Sequence, residues 1–528
     1  MTATTTDSGS PWSPFRQKAY LVLWGATVVS NIGTWMNDVG AGWLMTSLAP
    51  SPQIVAAVQA ATTLPVFLFA VLAGAVADIV DRRRLLLIVN LLLAITAMIL
   101  AVLVQVDAMT PVLLLIFTFL LGSGAAFIAP AWQAIVPKLV PREDLTAAVA
   151  LNSMGINISR AMGPAVAGML IAAFGLVWPF ALNALSTLVV IAALIWWKPP
   201  AEPERTLPAE HVLGAMIAGV RYAVFTKGLR LVLLRATGFF LFASAFWSML
   251  PLFARETLSG GAGLYGALLA SVGIGAVGGA LVLPGLRGKL GPDRTVRLGT
   301  VGMAISLGLL ALLPTPATGL LAGLMAGAAW IAVLSSLNVA AQSVLPDWVR
   351  ARGLAIFLTV FSGAMALGSL AWGTVAAHSS IGTSQLVAAI GLVLAIPLTA
   401  RARLSGLGAD QSPAHHWPEA DIPLPDDNDG PTTIWIAYDV PAPARAEFLG
   451  LMKEQRRSRR AHGGYGWVLR EDASVPGRLI ESWHEASWLN HLRHHDRVSR
   501  AEAEMQARIR ALLTSSPEIH HLITPRKG

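Results

Sequence analysis

Apolar runs long enough to cross a lipid bilayer recur twelve times along the first 403 residues of this chain, and no other feature restricts its fold as strongly. A hydrocarbon core about 30 Å thick takes roughly 20 consecutive apolar residues in a helix. The runs fall at 20–46, 53–77, 85–105, 111–131, 147–173, 177–197, 231–254, 262–284, 295–313, 317–339, 353–376 and 382–400. A soluble helical core can imitate one or two such runs, but not twelve in series. Composition agrees: 55% of the 528 residues are hydrophobic and 13% are charged, about half the charge of a soluble domain.

The charges that remain are unevenly placed. Residues 1–403 hold 23 Lys/Arg and 13 Asp/Glu, whereas residues 404–528 hold 15 and 17. With the N-terminus inside, 20 of those 23 basic residues fall in cytoplasmic connections; Arg255 falls outside, and Arg160 and Arg235 fall within runs. Positive charge is retained on the cytoplasmic side, so the expectation is a multi-pass protein of the cytoplasmic membrane with both termini cytoplasmic. Arg235 lies close enough to the inner face to snorkel, and no further role is assigned to it. Basic residues placed between apolar runs, and not along one face, argue against a nucleic-acid partner.

Several chemistries are excluded at this stage. The absence of cysteine removes disulfides, thiolate catalysis and Cys-based metal sites. The first residues lack a basic segment followed by a cleavage site, so the first run is expected to stay in the membrane. No Gly-x-x-x-x-Gly-Lys-Ser/Thr loop occurs, so ATP is not expected as a direct energy source. No cofactor, metal or catalytic residue is expected.

The stretch 198–230, with Pro199, Pro200, Pro203 and Pro208, reads as a cytoplasmic central loop. It separates an N-terminal six-helix half (19–197, after a cytoplasmic tail 1–18) from a C-terminal half (231–403). Weak internal similarity crosses it: Gln133-x-x-x-Pro-x-x-Val matches the same pattern from Gln342, and Gly74 matches Gly285. Parallel repeats of this kind occur in transporter folds. A Pro-, Asp- and Gly-rich linker (404–430) then leads to a soluble cytoplasmic domain (431–528). There Ile434, Ile436, Tyr438 and Val440 alternate as a strand, while Phe448, Leu451 and Met452 take helical spacing. A hairpin across Ala473–Gly477, a long helix over 487–513 and a short strand "IHHLIT" complete the order βαββαβ of a ferredoxin-like fold. The fold class is thus an all-α membrane protein of twelve transmembrane helices in two halves, with a small α+β domain.

Two motifs carry a family resemblance. Gly74-x-x-x-Asp78-x-x-Asp81-Arg82-Arg83 follows the second run and resembles the signature loop of the major facilitator superfamily, with Asp81 where glycine is common. The resemblance implies a conformational latch: glycine permits close helix approach, and Asp78 with the arginines forms a charge relay that holds one rocking state. A plain basic stop-transfer loop is the alternative. The second half keeps only Gly285, Asp293 and Arg294 of this pattern. The fifth run, "NSMGINISRAMGPAVAGML", is similar to the superfamily's antiporter signature through Gly163, Pro164 and Gly168, with Ala150, Ser159 and Ala167 where glycine is usual. Small residues there let helices approach closely. The wider run from Pro130 to Gly168 resembles the enterobactin-exporter and macrolide-efflux-like subfamily, the transmembrane secretion effectors, and the likeness extends over 15–403.

That resemblance implies alternating access and proton-coupled export of an amphipathic small molecule: a siderophore, drug or secondary metabolite. An importer or lipid flippase stays open on the same fold. A membrane-anchored enzyme or sensor acting through the tail stays open from another class. The tail resembles a dimeric α/β-barrel domain of the antibiotic-biosynthesis-monooxygenase kind, which implies self-association.

Ionisable groups within spans are costly and mark function. Asp38, preceded by Asn31, Trp35 and Asn37 in the first run, and Arg160 in the fifth are the expected coupling and substrate-cavity residues, with an Asp38–Arg160 pair expected. An interfacial carboxylate and an arginine tied to backbone carbonyls are the alternatives. In the tail, His491 and His495 stand at i,i+4 with His521 on the last strand, a ligand-site candidate set against an ordinary solvated surface. The topology is directly testable. A reporter fused after Arg403 is expected to be cytoplasmic and one after Asp107 or Ala377 periplasmic; reversal at either position overturns the map.

Overall fold

The computed structural model describes residues 10–198, 212–346, 348–404, 410–412, 414 and 430–523, apart from the side chains of Ala75, Asp78, Ile79, Arg142, Thr146 and 212–215. The helices before the tail are α1 (Lys18–Leu48), α2 (Pro52–Ile79), α3 (Arg82–Gln105), α4 (Pro111–Leu139), α5 (Leu145–Phe174), α6 (Val177–Trp196), α7 (Val212–Phe225), α8 (Lys227–Leu252), α9 (Ala262–Leu312), α10 (Pro316–Ser343), α11 (Arg350–His378) and α12 (Ile381–Leu398). Proline opens α2, α4 and α10, where its missing N–H costs nothing. Asp81, Thr110 and Ser380 cap α3, α4 and α12 by accepting from the N–H groups of Arg84, Leu113 and Thr383.

Among the described residues, ten helices are long and apolar enough to cross a membrane. The first helix, α1, is not among the ten, because Thr, Ser, Asn and Asp residues dilute its 31 apolar-rich positions. The expected runs 262–284 and 295–313 are joined in the 51 residues of α9, roughly 75 Å if straight, more than twice a bilayer core. Gly291, at φ 75° and ψ 168°, breaks the helical path between them. A left-handed φ of this kind suits glycine, and Pro292 follows it as the first residue of a new helical direction.

The chain divides into two compact units. The first comprises residues 1–209, 233–337 and 358–403. Its helices turn large side chains outward, as Ile88 and Leu92 do on α3, and keep Asn90, Ala94, Ala97 and Ala101 inside. The two six-helix segments meet through small residues. A Cβ on Gly168 of α5 would stand 2.8 Å from the Gly266 Cα of α9, and one on Gly273 would stand 2.6 Å from the Ala161 Cα. Backbones this close gain dispersion and need no hydrophobic drive, which lipid cannot supply.

The second unit comprises 210–232, 338–357 and 404–528. Its tail runs β1 (Thr432–Asp439), α13 (Arg445–His462), β2 (Tyr465–Glu471), β3 (Arg478–Glu485), α14 (Trp488–Arg497), α15 (Arg500–Ala511) and β4 (Glu518–Ile523). The strands form one antiparallel sheet in the order β2-β3-β1-β4. Ile434, Ile436, Tyr438 and Val440 are buried against Phe448, Leu451 and Met452, as the alternation predicts. The expected single helix over 487–513 is two helices. Ser499 starts the second with a capping box to Glu502, which ends α14 at Arg497. Within this unit the tail packs on α7 and the α10–α11 connection: His462 faces the rings of Tyr222 and Trp348, and Arg497 lies 4.4 Å from the Trp348 ring centroid.

The close crossing of α5 and α9 gives a stability prediction. Gly168→Val must drive two backbones apart, an overpacking cost of about 1–3 kcal/mol, and is expected to lower the melting temperature in detergent. Gly74→Ala, whose Cβ would meet nothing within 4 Å, is expected to leave it unchanged.

Candidate functional site

A cavity of about 220 Å³ lies within the first unit, lined by α1, α2 and α5 from one six-helix segment and by α8, α9, α10 and α11 from the other. Its walls are largely aromatic: Trp35, Trp247, Tyr265, Trp330 and Phe361, with Met365 beside them. Trp330 is held by edge-on contacts, with ring centroids 5.3 Å from Trp247, 5.2 Å from Phe240 and 6.1 Å from Phe361. Such T-shaped pairs fix ring orientation as well as burying area. One polar stripe, Gln59, Thr62 and Thr63, comes from α2 at i, i+3, i+4 spacing. One acid, Asp38, and one base, Arg160, complete the lining.

The expected Asp38–Arg160 ion pair is not formed. Arg160 instead places its guanidinium 5.5 Å from the Trp35 ring centroid, and its Nε has no hydrogen-bond partner. Trp35 stands at the α1–α5 crossing, where Gly163 leaves room for its Cβ, so the arginine meets the indole face before it can reach Asp38 one turn further on. Neither carbonyl ties for Arg160 nor an exposed position for Asp38 is found. Both are half-buried on the cavity wall. Asn31 and Asn37 do not line the cavity. Asn37 is buried, about 100° round the helix from Asp38. Two further polar atoms at the wall, Trp247 Nε1 and Ser248 Oγ, are buried without partners.

At the end of α1 the two segments are tied together. Arg255, in the single π-helical turn after α8, donates to Thr46 Oγ1 at 2.9 Å and Ser47 Oγ at 2.5 Å, and lies over Trp43. Trp43 in turn stacks on Tyr265 at 5.8 Å. Arg255, the basic residue expected on the outer side, is thus a tie between helices.

The described side chains of the loop after α2 meet backbone groups. Asp81 caps α3, Arg82 Nε donates to Ala77 O, and Arg83 donates to the carbonyls of Leu194 and Ile195 at the end of α6. The Asp78 side chain lies outside the described residues. Close approach at Gly74 is not found, since a Cβ there would meet nothing within 4 Å. In the second half, Asp293 is ion-paired at 2.9 Å with Arg235 of α8, whose side chain is 3% exposed. Arg235 therefore does not snorkel: a carboxylate brought round by the Gly291 turn holds it inside. At the expected antiporter segment, Gly163 and Gly168 do allow close approach to α1 and α9, and Pro164 lies within a continuous α5.

In the tail, the structure brings His491, His495 and His521 together. Burial, with other imidazoles adjacent, pushes His495 down to about 3 and His521 down to about 4, so both rings are neutral at pH 7.

The sequence profile of a family described as transmembrane secretion effectors matches residues 9–527. The chain belongs to that family. Among curated relatives it is 26% identical over 260 residues to a staphyloferrin A transporter of Staphylococcus aureus, covering 48% of this chain and 64% of that one. It is 30% identical over 235 residues to an enterobactin exporter of Shigella boydii, covering 44% and 55%. The chain thus spans less than two thirds of the length of these relatives. Solved structures of like fold include a bacterial homologue of the lysosomal transporter Spinster (16% identity, TM-score 0.55, 75% of this chain and 98% of that one). A POT family transporter is another (13% identity, TM-score 0.60, 73% and 96%). These secretion effectors share the major facilitator fold, that of non-enzymatic transporters.

The Arg235–Asp293 pair supplies the prediction here. Removing one partner of a buried ion pair costs about 3–5 kcal/mol by stranding the other. Asp293→Ala alone is expected to destabilise the protein more than the double replacement Arg235→Ala/Asp293→Ala, read as a double-mutant cycle in thermal melts.

Proposed function

We propose that this secretion effector is a secondary active exporter of an amphipathic, aromatic or acidic small molecule, driven by protons and working by alternating access. The observation that carries this reading is the cavity: aromatic walls drawn from both six-helix segments, with one acid and one base, and with three lining side chains that each carry a buried, unpartnered polar atom. Aromatic surface accepts the apolar body of a substrate, while Arg160, Ser248 Oγ and Trp247 Nε1 offer donors to its carboxylate or phenolic oxygens. A siderophore fits this chemistry, and the names of the two relatives point the same way. Asp38 is the single carboxylate on the wall, so it is the group that exchanges a proton as access alternates.

The rest of the reading follows from this. Nine of the ten apolar helices, with α1 and the two arms of the tenth, α9, make twelve crossings with both termini cytoplasmic. The Arg255–Thr46/Ser47 tie closes the outer end of the cavity in the state described. Asp78, Arg82 and Arg83, with Asp81 capping α3, form the inner latch of the cycle. Close packing at Gly163, Pro164 and Gly168 limits leak and favours export. The tail is a ferredoxin-like domain that self-associates through the sheet face free of helices, where Trp435, Tyr465 and Leu522 are partly or fully exposed.

Uptake into everted membrane vesicles under an imposed pH gradient, with siderophores, dyes and antibiotics as substrates, tests the proposal. Asp38→Asn is expected to abolish pH-driven accumulation while sparing substrate binding. Trp330→Ala is expected to weaken binding roughly tenfold with coupling intact. If Asp38→Asn accumulates substrate with unaltered pH dependence, the coupling role is lost. If no substrate class responds to the protein at all, so is export.

A further inference from the structure

The tail contains a cluster that the transport reading does not use. His491 and His495 are one turn apart on α14, and His521 of β4 faces them across the sheet edge. One ligand atom from each lies within 4.8 Å of the other two. The Nε2 atoms of His491 and His495 stand 3.1 Å apart. Two imidazole nitrogens at that spacing subtend the edge of a tetrahedron whose metal–nitrogen bonds are about 2.0–2.1 Å, roughly 3.3 Å long. The two rings are within hydrogen-bond distance through these atoms, a contact that a shared metal ion would replace.

The surroundings are those of a metal ligand set. Glu485 of β3 is 2% exposed and places Oε2 3.4 Å from His491 Nδ1 and Oε1 2.8 Å from His494 Nδ1. The 2.8 Å contact is a hydrogen bond to His494, while His491 Nδ1 makes none in this arrangement; a carboxylate this close to Nδ1 is placed to orient the ring once Nε2 ligates a metal. Trp483 Nε1 donates to the same Oε1 at 2.9 Å, so the carboxylate is itself held in place. Trp488 packs on His491 and His521, with ring centroids 5.3 Å and 5.5 Å away, and supplies an apolar wall. His491 is 1% exposed, while His495 and His521 are half-buried, so the site is rigid at its floor and open at its mouth.

We infer that His491, His495 and His521 form a binding site for a first-row divalent metal ion, Zn²⁺ foremost, with Glu485 as the positioning carboxylate and a fourth coordination place left for water or a ligand atom. Imidazole donors suit Zn²⁺, Cu²⁺ and Ni²⁺, and carboxylate-seeking ions such as Mg²⁺ and Ca²⁺ are not expected. The inference stands apart from the transport reading, because it concerns only the second unit.

The test uses the full chain in detergent, without an affinity tag and stripped with EDTA. Titration calorimetry with zinc chloride at pH 7.5 is expected to give one saturable site per chain, and Co²⁺ is expected to produce the intense visible bands of a tetrahedral ion. His495→Gln and His521→Gln are each expected to lose the site with the metal-free melting temperature preserved. Glu485→Gln is expected to weaken it about 10–100-fold, and His520→Gln, on the opposite sheet face, to leave it intact. Wild-type protein that binds Zn²⁺ no better than the His491→Gln/His495→Gln/His521→Gln triple variant overturns the inference. So does a Co²⁺ spectrum without tetrahedral bands, whatever the variants do.

Discussion

A helix in lipid has no solvent to satisfy a stray polar group, and the arrangement of the first unit follows from that constraint. Its hydroxyls mostly turn back on their own backbone: Thr27, Thr62, Thr118 and Thr300 each donate to the carbonyl four residues earlier. Charges are met as well. Arg235 meets Asp293 through Nη2, with its Nε and Nη1 left without partners, Arg83 meets the last carbonyls of α6, and Arg255 meets two hydroxyls of α1. Against that background the polar atoms left without partners stand out. Arg160, Trp247 and Ser248 at the cavity wall are prominent among them, with Ser336, Ser369 and Gln385 on α10–α12.

The same constraint decides what the sequence reveals. A bilayer dictates the length of an apolar run, so a helix could be expected over each run, although α4 continues eight residues past the expected end; the alternation of Ile434, Ile436, Tyr438 and Val440 located the first strand. Partners were another matter. Nothing local says that Arg235 meets Asp293 almost sixty residues on, or that Arg160 meets Trp35 in place of Asp38, because helix neighbours are fixed by packing between distant segments. The short join inside α9 was also hidden: the sequence leaves residues 285–294 between two runs, whereas the two helical arms meet directly at Gly291 and Pro292. The second-half cavity wall was missed because Trp247, Tyr265, Trp330 and Phe361 pass as ordinary apolar residues in a span. The Gln59, Thr62, Thr63 stripe was a legible signal, since three polar residues on one face of an apolar helix must look at something other than lipid. In the tail, the Ser499–Glu502 capping box was likewise visible in the sequence and marks the break that divides α14 from α15.

The histidines of the tail show how composition alone misleads. Nine of eleven lie beyond residue 403, which suggests a solvated surface. Tertiary packing sorts them otherwise: His491 and His494 are buried on Glu485, His462 stacks on His494 at 4.5 Å, and His520 sits with Trp435 on the other sheet face. Residues of one type thus take at least three roles within one small fold.

The packing of His462 on Trp348 and Tyr222 bears on how this protein can be dissected. Shortening the chain at the linker looks harmless from sequence, because proline and acid separate the tail from the helices. Yet Trp348 belongs to the α10–α11 connection and Tyr222 to the helix leading into α8, and the tail is what covers them within the second unit. A shortened chain would expose two large rings, together with Arg221, whose Nη1 donates to the carbonyl of Gly463. Those rings sit on the connections between the helices that carry Trp247, Trp330 and Phe361. A protease or a premature stop acting at the linker would therefore leave exposed rings on these connections, and a changed behaviour after such a cut would not by itself assign a regulatory role to the lost domain.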